Sequence, residues 1–257
     1  RILSSAASDV YKRQGLTFFI AVAATNLFHQ GNWQRVYAAK NNNVLKKSLF
    51  FSFLIIIPVV FIMGFTGLIA VSANSSVIPD LAFFSLLLSN ELFLLSIIII
   101  FLALSLTISS IDTLINAISS LIIVDGNKII KINGNYSKIS NYIIFFISII
   151  VFIIASNGLS ILYLFLLADL LCCSAVMTIF WSFYTKSIKE KNAYFSILLG
   201  LIAGLLFFPS PDFSKSILVG YLIPKELFPQ FINQSLLFIS FIVATFIPIF
   251  AWKFGKK

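Results

Sequence analysis

Ser105, Ser109, Asp112 and Asn116 follow one another at intervals of four, three and four inside the apolar run SLTISSIDTLINAISSLIIVD, residues 105–125. On a helix that spacing places them on one stripe, and Thr107, Ser110 and Thr113 form a neighbouring stripe, so an otherwise hydrophobic segment carries a single polar face. Its hydroxyl, amide and carboxylate oxygens are hard donors, the kind an alkali cation accepts as it sheds water. The hydroxyls have another use: Ser and Thr also donate to carbonyls one turn back or hold two helices together. Asp112 weighs against a purely structural role, because a carboxylate at the centre of a spanning helix costs about 3 kcal/mol and ordinarily faces a cavity, a partner or an ion path. No Lys, Arg or His lies in the interior of the same or any later apolar segment to pair with it. That leaves a bound cation, a proton or a group elsewhere. The alternative is a position near the cytoplasmic interface, since the apolar run 92–124 is longer than one crossing requires.

Asp169, in LYLFLLADLLCCSAVM, is the other acid within an apolar run, with Tyr163 and Ser174 as its polar company. It reads equally as a hydrogen-bonded packing group or a site group and ranks below Asp112. Asp125 ends the polar-faced segment, where solvation explains it. In ATNLFHQGNWQRVYAAK, Asn26, Phe28, His29 and Gln30 follow a short apolar stretch and Gly31 permits a break, so these side chains form a candidate pocket for a small polar solute. The competing reading makes His29 and Trp33 interface anchors. His29 is the single histidine, which disfavours haem or a histidine-built metal site. With no nucleophile and base at a recognisable spacing and no phosphate-binding glycine loop, neither an enzyme nor a cofactor is expected.

The elements that must position these residues are set by composition. Of 257 residues, 60% are hydrophobic and 11% charged, and the mean hydropathy of +1.03 belongs to chains whose solvent is largely lipid. Strand-like alternation over ten residues is missing, so helices rather than a barrel are expected. Apolar length against polar breaks predicts about seven segments, near 15–28, 48–72, 92–124, 141–156, 160–184, 193–208 and 233–253. The net charge of +9 does not form the aromatic-interleaved patch that nucleic acid needs. It falls between segments instead: Arg35, Lys40, Lys46 and Lys47 in the first loop, Lys128, Lys131 and Lys138 in the third, Lys186, Lys189 and Lys191 in the fifth, and Lys253, Lys256 and Lys257 at the end. The positive-inside rule then makes those loops and the C-terminus cytoplasmic, in a chain expected in the inner membrane. Cys172 and Cys173 lie within an apolar run and read as packing. Gly200 and Gly204 make a GxxxG spacing suited to a close helix contact.

NLFHQGNWQRVYAAK and SLTISSIDTLINAISSLIIVD resemble two stretches of the sodium:solute symporter family, the first following its broken sixth core helix and the second its eighth. The similarity runs in segment order from residue 15 to about 208. It implies the C-terminal part of a transmembrane core of two inverted repeats, preceded in the whole protein by about five core helices. It also implies sodium as coupling ion, with the hydroxyl pair on Ser109 and Ser110 as side-chain ligands. Asp112 and Thr113 fall where members with a second ion site carry hydroxyls, so the carboxylate departs from that pattern and leaves sodium and proton both open. Substrate contacts map to Asn26 and the Phe28 to Gln30 region, and urea, an amino acid, a sugar or a carboxylate all fit as solute. The alternatives from other classes are a proton-translocating membrane subunit and a transporter-like sensor. Residues 1–14, RILSSAASDVYKRQ, have neither an initiator Met nor a signal-peptide apolar core, and read as an adapter-derived leader ahead of the transmembrane domain at 15–257.

Overall fold

The computed structural model describes residues 2–73, 76, 78, 81–88, 93–126, 135–184, 189–213, 215, 216, 218, 219 and 235–254, with side chains from 12 to 250. Among these residues the regular elements are all helices: α1 Ile2–Phe28, α2 Gln30–Tyr37, α3 Asn42–Ala73, α4 Ala82–Leu87, α5 Phe93–Ser120 continued by a π turn Leu121–Asp125, α6 Tyr136–Ser156, α7 Ile161–Tyr184, α8 Glu190–Phe207 and α9 Leu236–Phe254. Helices are what an apolar chain must form in lipid, since each N–H and C=O has to find its partner within the segment. Five of them, α3, α5 with its π turn, α6, α7 and α8, are long and apolar enough to cross a membrane. The other two expected segments correspond to the second half of α1 and to α9, whose apolar stretch Leu236–Phe250 is shorter.

Three boundaries differ from the expectation. The expected first loop holds α2 and the expected second loop holds α4, because α2 is of mixed polarity and α4, AFFSLL, is apolar but only six residues long, so neither leaves a long apolar run to read. α1 continues through the expected leader boundary at Gly15. Residues 1–14 hold neither Gly nor Pro, and a lone Gly costs a helix only about 1 kcal/mol. Lys128, Lys131, Lys186, Lys225, Lys256 and Lys257 lie outside the described residues.

The chain divides into two compact units, Arg1–His29 with Leu159–Lys257, and Gln30–Gly158. In the first, α7 is central: 39% of its apolar window is buried, against 0% for α5 in the second. Its core gathers Ala21 and Ala24 of α1, Leu166, Leu170 and Cys173 of α7, and Phe241 and Ala244 of α9. α8 lies against α9 at the two glycines of the GxxxG spacing. A Cβ on Gly200 would stand 2.5 Å from Pro248 Cγ and 2.8 Å from the Ala244 carbonyl oxygen, and one on Gly204 would stand 2.8 Å from Ala244 Cβ and 3.0 Å from Leu170 Cδ1. Ser240 Oγ donates to the Gly204 carbonyl at 2.7 Å, using the same close approach. Gly200 opposite Pro248 and Gly204 opposite Ser240 make α8 and α9 antiparallel. The middle of α1 and the starts of α7 and α9 line one cavity, and further along Thr25 meets Asp169 and Cys173 faces Thr245, so these three run in a common sense.

In the second unit, α2, α5 and α6 meet where α5 ends. Gln34 Nε2 of α2 donates to Ser120 Oγ at 2.7 Å, and the buried Ser140 of α6 donates to Ser119 Oγ at 3.0 Å. The π turn follows at once. α6 starts on Asn135, whose Oδ1 accepts from the Ser137 N–H at 3.1 Å, an N-cap. It stops at Gly158, where φ is +65°, a left-handed conformation that suits glycine and falls in the expected break at 157–159.

Candidate functional site

The polar face forms on α5 as its spacing demands. Ser109, Ser110 and Asp112 are exposed and Thr113 is half-buried. Ser110 Oγ donates to the Leu106 carbonyl at 2.9 Å, Thr113 Oγ1 to the Ser109 carbonyl at 3.0 Å and Thr107 Oγ1 to the Ala103 carbonyl at 2.8 Å. These bonds use the hydroxyl protons and fix the rotamers; each oxygen keeps a lone pair directed off the helix, free to ligate a cation. Among the described residues Asp112 has no ion-pair partner. The face therefore presents one carboxylate and several neutral oxygens, an incomplete but chemically suitable half of a hard-cation site.

The candidate solute residues gather at the end of α1. Asn26 Nδ2 donates to the Val22 carbonyl at 2.8 Å on an exposed face. Phe28 closes α1 and is half-buried, as are His29 and Gln30. His29 interrupts the helix, and its Nδ1 is buried without a hydrogen-bond partner. Gln30 opens α2 and belongs to the second unit, whereas the other three belong to the first.

A third cluster lies in the first unit. Asp169 of α7 is only 6% exposed, and Thr25 Oγ1 of α1 donates a short hydrogen bond to its Oδ1. On the next turn of α7 the Cys172 thiol meets the Thr25 side chain. The buried Cys173 thiol faces the Ile20 carbonyl at 3.9 Å and the Thr245 hydroxyl of α9. One turn before Asp169, Leu166 lines a cavity of about 390 Å³ between the middle of α1 and the starts of α7 and α9, together with Arg13, Thr17, Leu162 and Ser235. Arg13 Nη1 donates to Ser235 Oγ at 2.8 Å across its rim. Tyr163, Phe208 and Phe213 stack beside it, with ring centroids 5.6 and 6.0 Å from Tyr163.

Searched against family models, curated proteins and solved structures, the chain matches none. The Thr25–Asp169 pair is the arrangement that sequence reasoning missed. Asp169 stood out as an acid in an apolar run, but Thr25 carried no signal of its own, and 144 residues separate them. Only the packing of α1 on α7 brings them together.

Proposed function

We propose that the chain is part of a secondary active transporter that couples an ion gradient to movement of a small polar solute, in the manner of the sodium:solute symporters. The observation that carries this reading is the α5 face: a carboxylate without an ion-pair partner among the described residues, beside Ser109, Ser110 and Thr113, on a 33-residue apolar helix. Such a group earns no stability from lipid and is ordinarily retained for an ion or a proton. In this reading the chain spans the inner membrane about seven times as the C-terminal part of an inverted-repeat core, and sodium sits on Ser109 and Ser110. Asp112 and Thr113 then complete the ion side, and Asn26, Phe28, His29 and Gln30 face the solute at a helix break, the usual place for a solute site between repeats. The C-terminus is cytoplasmic. The common sense of α1, α7 and α9, opposed by α8, supports this orientation, because the basic loops require those helices to cross in that alternation.

A proton-translocating subunit is the second reading, favoured by buried Asp169 in the core of the first unit. Uptake of labelled urea, proline, glucose and acetate by proteoliposomes of the full-length protein, with a sodium or a proton gradient imposed in turn, separates the two. Sodium-driven accumulation of any one solute supports the symporter. Proton movement with no solute moved supports the alternative.

A further inference from the structure

The groups around Asp169 select among its potential occupants. From α1 comes the Thr25 hydroxyl; from α7 itself, the Cys172 and Cys173 thiols; from α9, Thr245, reached through Cys173; and from α8, Gly204, which packs on the neighbouring Leu170. The apolar core of the same unit includes Ala21, Ala24, Leu170 and Phe241. Among the described residues, the titratable groups set against the Thr25–Asp169 pair are the two thiols. Lys12 and Arg13 lie roughly 18 Å back along α1, Glu190 and Lys191 roughly 20 Å from Gly204 along α8, and Tyr163 roughly 9 Å back along α7, at 1.5 Å per residue. His29 lies just past the end of α1, four residues after Thr25. A hard cation takes about six oxygen ligands; among the described residues this site supplies the carboxylate and the Thr25 hydroxyl, and its thiols are soft donors. A proton needs a single oxygen. Leu166, which lines the cavity, lies three residues, about 4.5 Å of helix rise, before Asp169 on α7.

We propose that Asp169, hydrogen-bonded by Thr25, is a proton-binding site one turn of α7 beyond the cavity that the middle of α1 shares with the starts of α7 and α9. The carboxylate takes a proton from cavity water to form the neutral acid, with Thr25 Oγ1–H remaining on Oδ1, and returns it to water as the carboxylate re-forms. Use of this site for coupling rests on the transport reading; binding itself does not.

Infrared difference spectra of the full-length protein in liposomes, between acid and alkaline buffers, test it. The wild type gains a carboxylic C=O band on acidification that Asp169→Asn lacks. Thr25→Val keeps the band but moves it to higher wavenumber, because a donor to the carbonyl oxygen is gone, and Thr25→Ser restores it. Since Thr25→Val retains the carboxyl, the shift is informative even where Asp169→Asn folds poorly. Sodium chloride in place of potassium chloride at fixed acid pH leaves the band intact. A wild-type spectrum with no pH-dependent band, a band untouched by Thr25→Val, or one abolished by sodium overturns the proposal. Sodium-driven uptake measured on the same vesicles separates the two readings: uptake without the band sinks the proton site alone, and the band without uptake sinks the transport reading alone.

Discussion

Asp112 and Asp169 are the same functional group in two settings. Asp169 is enclosed, with one hydroxyl donating to it. Asp112 stands exposed among hydroxyls whose protons are spent on the helix backbone. Bonds to their own helix make Ser110 and Thr113 cheap to lose structurally, because replacing such a hydroxyl by a methyl leaves no buried group unpaired. Ser109→Ala and Ser110→Ala are therefore expected to keep normal expression while the sodium needed for half-maximal uptake rises on the order of tenfold, as for one lost neutral ligand. Asp112→Asn keeps the shape and one acceptor but removes the charge. It is expected to abolish gradient-driven accumulation while solute exchange persists. Uptake measured across sodium concentration and pH checks all three, and unchanged ion dependence in every variant returns the α5 face to a structural role.

At the level of elements, the α8–α9 contact depends on two hydrogen atoms where other residues carry a Cβ. Gly200→Ala and Gly204→Ala each place a methyl within 2.5 to 2.8 Å of Pro248 or Ala244, and Pro248 has no freedom to swing away. Overpacking of this kind costs about 1–3 kcal/mol. Gly64→Ala and Gly67→Ala in α3 meet nothing within 4 Å and are expected to be neutral or stabilising by up to about 1 kcal/mol through helix propensity. Thermal unfolding in detergent is expected to separate the pairs, with lower Tm for the α8 variants alone. Equal behaviour would mean that α8 and α9 are not in this contact. The GxxxG spacing and the span of α5 were legible in the sequence, because periodicity and apolar length are local properties. The π turn at Leu121–Asp125 and helices α2 and α4 were not, since no apolar period announces a short polar helix such as α2 or a shift in hydrogen-bond register, and the six residues of α4 are too few to show one.

For the molecule as a whole, charge asymmetry and helix direction bear on the same quantity. With α1, α7 and α9 running one way and α8 the other, the ends of α1 and α9 and the loop after α7 share a side, and Lys189 and Lys253 stand there. Single cysteines at Asn42 and Asn192, in a full-length protein with Cys172 and Cys173 replaced, are expected to resist an impermeant thiol reagent in intact cells. One at Asn157 is expected to react. Labelling at Asn192 with protection at Asn157 would reverse the orientation.

What the sequence determined by itself was the solvent and the class of structure. At this hydropathy every backbone polar group has to be satisfied locally, so helices follow whatever their neighbours are, and residues three or four apart on one helix, such as Ser109 and Asp112, necessarily share a face. Tertiary structure decided which distant side chains meet. Thr25 reaches Asp169, Cys173 reaches Thr245 and Ser240 reaches the Gly204 carbonyl only because α1, α8 and α9 pack around α7. No spacing along the chain encodes such a contact, because it depends on how the surfaces of separate helices fit together.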